Sequence, residues 1–139
     1  MRALESPRQM AAVLQAAIEA GINHIETAPA YGPAEAYLGQ ALAALTARDP
    51  RARAELILTS KLLPCTELVE ARQQLLQCLE RLGVPRLHNL AVHGLNRPEH
   101  LEWALRGPGS QLLAWALGEV YSIDLVQPYV SAFSYQYQY

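Results

Sequence analysis

Apolar residues recur with helical spacing from the start of the chain. Met10, Val13, Leu14, Ala17 and Ile18 follow one another at i, i+3, i+4, i+7 and i+8. Ser6-Pro7-Arg8-Gln9 reads as a capping box with proline at the first helical position, and Gly21 provides the stop. Residues 22–27 (INHIET) then alternate apolar and polar positions and carry β-branched side chains, which predicts a strand closed by the loop 28–32. Pro33 opens a second helix whose stripe is Ala34, Tyr37, Leu38, Ala41, Leu42 and Leu45, ending in the charged stretch from Arg48 to Arg53. The pattern repeats. Residues 55–60 (ELILTS) form an apolar strand, Thr66 caps a helix with Leu68, Leu75, Cys78, Leu79 and Leu82 on one side, and Gly83 ends it.

A third strand is expected at 88–93 (HNLAVH), a short helix around 99–105, a break at Gly107-Pro108-Gly109, a helix over 110–117 and a fourth strand at 120–126. The strand starts are 33, 33 and 32 residues apart, the length of a βα unit. Alternating βα units predict an α/β fold with a parallel sheet and right-handed crossovers. The units share a pattern and not residues, so the repeat is structural. The expected organisation is one βα domain over 1–126 and an unassigned tail over 127–139.

Composition narrows the classes of function. With 11 Lys+Arg against 13 Asp+Glu, the net charge of −2 gives no basic footprint for nucleic acid. Apolar residues are 51% of the chain but never run unbroken for the roughly 18 positions a membrane span needs. Two cysteines 13 residues apart make neither a disulfide framework nor a metal-ligand spacing, so no metal is expected. Reduced thiols, and a start (MRALESPRQM) without a secretory signal pattern, point to the cytoplasm.

In parallel α/β folds ligands bind at the carboxyl ends of the strands. There the sequence places Glu26, Lys61 and His93, with Tyr31 in the first βα loop. A tyrosine hydroxyl is a poor acid at pH 7, and a nearby ammonium makes it a better one. Lys61 is expected to supply that charge, Glu26 to act as its counter-ion, and His93 to orient a carbonyl. The remaining candidates have blander readings. His24 lies at alternating parity to Glu26 and is read mainly as packing or a buried hydrogen bond, His88 and His100 as solvent-facing, Cys65 as an incidental thiol, and Glu35 as a first-turn cap. Trp103 and Trp115 are read as core or interface anchors. Tyr135, Tyr137 and Tyr139 either pair along an open edge or stay disordered.

The segment from Gly21 to Gly32 (GINHIETAPAYG), with Glu35 and Leu38-Gly39, resembles the GxNxxDTAxxYGxSExxLG signature of the aldo-keto reductases. The Lys61 strand and Leu90-Ala91-Val92-His93-Gly94 resemble the next two pieces of that pattern, and the likeness runs from Ala12 to about Val120. The HIETA-type strand resembles a bacterial branch of the family. The resemblance implies a (β/α)8 TIM barrel, NADPH as cofactor, a small-molecule carbonyl substrate, Tyr31 as proton donor, Lys61 as the residue tuning it, His93 as the carbonyl-orienting group and Glu26 in the place of an aspartate. Glu26 is one methylene longer than that aspartate. A full barrel takes about 250 residues, so about four βα units imply a partial, truncated barrel lacking the half that holds most cofactor contacts. Its open edges suggest a homo-oligomer or a barrel-completing partner. Three readings follow: a carbonyl-reducing oxidoreductase, a noncatalytic half-barrel that associates with itself or another chain, and a Schiff-base enzyme using Lys61.

Overall fold

A computed structural model of the chain describes residues 5–65, 67–94, 97–99 and 102. The elements are α1 (Pro7–Glu19), β1 (His24–Glu26), α2 (Ala34–Arg48), α3 (Pro50–Ala54), β2 (Ile57–Leu62), α4 (Leu68–Leu82) and β3 (Asn89–Val92). The strands form one parallel sheet in the order β1-β2-β3, so each lies beside its neighbour in sequence. They start at 24, 57 and 89, keeping the period read from the sequence. This is α/β architecture consistent with part of a (β/α)8 barrel.

Local signals explain most boundaries. Ser6 Oγ accepts from Gln9 N at 3.2 Å, capping α1. The return arm of the capping box is displaced by one residue, because Gln9 Oε1 takes Glu5 N at 2.7 Å and not the N–H of Ser6. α4 ends at Gly83, whose φ of +63° is the left-handed conformation a helix stop favours. Thr66 lies outside the described residues; Glu67 occupies the cap position of α4 and makes no side-chain cap bond. The stretch from Arg48 to Arg53, read as the end of α2, contains a helix of its own. Asp49 Oδ1 accepts from Ala52 N at 3.0 Å and Pro50 sits at the first position, the same start signal as in α1.

Strand boundaries shift more. β1 is shorter than 22–27, and β2 begins two residues later than 55–60, so Lys61 and Leu62 lie inside the ladder. Glu55 instead closes α3, its N–H donating to Arg51 O.

In register, His24, Ile25 and Glu26 pair with Ile57, Leu58 and Thr59, while Thr59 to Leu62 pair with Asn89 to Val92. Paired residues of parallel strands share a face and successive residues alternate. One face therefore carries Ile25, Leu58, Leu62 and Leu90, which join Met10 and Leu14 of α1, Leu38, Leu42 and Leu45 of α2, and Leu75 and Leu82 of α4 in the buried core. Gly39 lies where α2 crosses α4, and a Cβ there would run into the Arg81 carbonyl oxygen. The opposite face carries His24, Glu26, Thr59, Lys61 and Asn89.

The helix at 99–105 falls largely, and the helix at 110–117, the strand at 120–126, the tail, His100, Trp103 and Trp115 wholly, outside the described residues. Among the described residues no helix is long and apolar enough to cross a membrane.

Candidate active site

Glu26 is the last residue of β1, Lys61 the last but one of β2, and His93 the first after β3. The backbone of His93 extends the ladder by one bond, its N–H donating to Leu62 O at 2.7 Å. Tyr31 comes from the turn between β1 and α2, where its N–H donates to Ala28 O at 3.0 Å and its carbonyl accepts from Ala34 N at 3.3 Å. Gly32 beside it has a φ of +60°, which a glycine adopts without strain.

These elements bring the four side chains together. The Lys61 ammonium donates to Glu26 Oε1 at 2.6 Å and to Tyr31 Oη at 2.7 Å. The rings of Tyr31 and His93 meet edge to face, with centroids 5.5 Å apart. Glu26 is level with Thr59, two residues before Lys61 on the adjoining strand, so the ion pair is a diagonal one and both long side chains span it. Lys61 is 4% exposed and Glu26 partly exposed. Burial alone depresses a lysine, but the hydrogen bonds and charge of Glu26 and Tyr31 outweigh it here and raise Lys61 above its ordinary value of 10.5. A lysine held this firmly protonated is poorly suited to Schiff-base chemistry, which requires the neutral amine.

A second polar row lies alongside. Thr59 Oγ1 is within 2.7 Å of His24 Nε2 and accepts from Asn89 Nδ2 at 3.1 Å. Neither Thr59 nor Asn89 was singled out by sequence reasoning, although both share the parity of Lys61. His88 is not solvent-facing as expected. It is half-buried, its Nδ1 accepts from Leu58 N at 3.0 Å, and its N–H donates to Leu58 O at 3.0 Å, so ring and backbone together hold the rim of β2. Burial lowers its pKa, assisted by Arg53, Arg86 and His24, which favours the neutral ring this bond requires.

Glu35 lies in the first turn of α2 as expected, but no side-chain cap bond forms there. It is 1% exposed, accepting from Ser60 Oγ at 2.6 Å and from Arg81 Nε at 2.7 Å. Its place on the Glu35, Leu38, Leu42 stripe was the available signal for burial. Cys65 is a free, partly buried thiol that burial, then Glu70 and Glu67, push up. Among the described residues no group of three His, Cys, Asp or Glu is placed to hold a metal.

Residues 4–120 match the model of the aldo/keto reductase family. The chain belongs to that family. Two solved structures assigned as aldo-keto reductases of Pseudomonas aeruginosa are 27% and 29% identical to it, with TM-scores of 0.66 and 0.65 over 82% and 81% of this chain. The aldose reductase of Giardia lamblia, at 23% identity, TM-score 0.55 and 67% of this chain, shares the fold. The chain spans 46%, 45% and 31% of the lengths of these structures. No curated protein matches it.

Members of this family generally use NAD(P)H. Lys61 is the only cation the three described strands carry, and its ammonium is committed to Glu26 and Tyr31. The strands thus offer no second cation for a dinucleotide's phosphates, and no described residue is assigned to the cofactor.

Proposed function

We propose that the polar end of the sheet is the proton-delivering part of an NADP-linked oxidoreductase site that reduces a carbonyl to an alcohol. The observation that carries this reading is the Lys61 ammonium within 2.7 Å of both Glu26 Oε1 and Tyr31 Oη. Because Tyr31 Oη accepts from Lys61, its own O–H is the proton to be given. As a carbonyl carbon is reduced, its C=O π electrons move to oxygen. That oxygen takes the Tyr31 proton, and the phenolate left behind faces the ammonium. Glu26 offsets the charge of Lys61 while the phenol is neutral, and His93, against the Tyr31 ring, directs the carbonyl oxygen toward the hydroxyl. When bound, NADPH supplies the hydride equivalent. The free thiols of Cys65 and Cys78 fit the cytoplasm as its compartment.

The test is NADPH oxidation with a panel of aldehydes by the full chain and by Tyr31→Phe. The expected result is a loss of about a hundredfold or more in kcat in the variant, the scale of a positioned proton donor. Equal rates would remove Tyr31 as donor.

A second reading is favoured by a separate observation. The chain spans less than half the length of solved relatives, and β1 and β3 each have one unpaired side among the described strands. A noncatalytic half-barrel would use such edges to join a second copy or another chain. Sedimentation over a range of concentrations separates the two, since a monomer that persists at every concentration opposes self-association.

A further inference from the structure

Glu35 and Ser60 lie on the side of the sheet away from the four residues just described, yet they join the same two segments. Glu35 follows Tyr31 by four residues, in the first turn of α2. Ser60 immediately precedes Lys61, and because strand residues alternate, its side chain points toward the helices while Lys61 points to the polar face. The Tyr31 turn and β2 are therefore tied twice, by Lys61 with Tyr31 on one face and by Ser60 with Glu35 on the other, at 2.7 and 2.6 Å. The second tie is the more enclosed. Ser60 is fully buried, and the other oxygen of Glu35 is held by Arg81 in the last turn of α4. A carboxylate with both oxygens used and its helix's positive end beside it has little freedom to move.

We propose that Glu35, acting through Ser60, is a positioning residue that sets the Tyr31–Lys61 contact. It touches no reacting atom. It fixes the height of the α2 N-terminus against β2, and hence where the Tyr31 turn delivers its hydroxyl. The proposal deepens the reductase reading and for its catalytic consequence rests on it.

Ser60→Ala removes one hydroxyl, leaving the Glu35–Arg81 pair and the strand backbone intact. Lys61 is the only lysine in the sequence, so selective 15N-lysine labelling gives a single Nζ signal. In the wild type that signal titrates above the ordinary lysine value, and in Ser60→Ala it moves down as Tyr31 withdraws. With NADPH and an aldehyde, kcat falls about ten- to a hundredfold at nearly constant KM, the scale of a small misplacement of a reacting group. Ser60→Thr keeps the hydroxyl and restores both readouts. Leu14→Val, a core change in α1, lowers thermal stability and leaves the lysine titration alone. An unchanged Nζ titration in Ser60→Ala would overturn the proposal, as would an equal change in Leu14→Val. If the wild-type chain reduces no carbonyl while the titration moves as stated, the positioning holds and the reductase reading is what fails.

Discussion

The two faces of the three-stranded sheet are built from alternate residues of the same short strands, and they are used in opposite ways. Toward the helices, Ile25, Leu58, Leu62 and Leu90 are buried in one apolar cluster, with Ser60 the polar exception braced by Glu35. On the other side, Glu26, Thr59, Lys61 and Asn89 hold one another or Tyr31 by hydrogen bonds. The first face holds the chain together through area removed from water. The second adds little of that and keeps a charge poised. The contrast teaches that the proposed function draws on residues that the hydrophobic pattern does not require.

Adjacent substitutions break the comparison most sharply. Leu58→Ala, at a position 1% exposed, is expected to lose about 2–5 kcal/mol in urea unfolding, the cost of a truncated core leucine. Thr59→Ala, one residue on, is expected to lose clearly less. Gly39→Ala forces α2 from the Arg81 carbonyl and is expected to lose about 1–3 kcal/mol by the same measurement.

On the polar face the effect is a pH dependence. Because folding raises Lys61 above 10.5, its contribution is fully present below that value and is lost as pH rises through the folded-state pKa. Glu26→Gln removes the anion that raises it. It should cost about 1–3 kcal/mol near neutral pH and flatten the alkaline decline in stability. Cys78 adds its own alkaline loss, because burial pushes its thiol from 9.0 up to about 12; it is common to both proteins and cancels in the comparison. The smallest effect is chemical. Cys78 is fully buried and Cys65 is not, so a thiol reagent at pH 8 should label Cys65 first and Cys78 only on unfolding.

Much of this was legible in the sequence. The period of the strands and the stripes of α1, α2 and α4 come directly from hydrophobic spacing, and the Gly83 stop from backbone chemistry. The same strand-end logic singled out Glu26, Tyr31, Lys61 and His93, which the fold brings to one end of the sheet. The misses share a cause. α3 was overlooked because five polar and small residues make no stripe, though Asp49-Pro50 announced a helix start. Glu35 was read as a first-turn cap and His88 as solvent-facing, because charge and titratability suggest solvent. Their burial follows from partners at Ser60, Arg81 and Leu58, which lie 25 to 46 residues away and which no local pattern reveals.

The central claim is that one ammonium is held between a carboxylate and a phenol on the polar face. Titration of the single lysine Nζ by 15N NMR tests it most directly, in the wild type, in Glu26→Gln and in Tyr31→Phe. The account predicts a midpoint above the ordinary lysine value in the wild type and a lower one in each variant. A wild-type midpoint at or below that value, unmoved by either substitution, would contradict it.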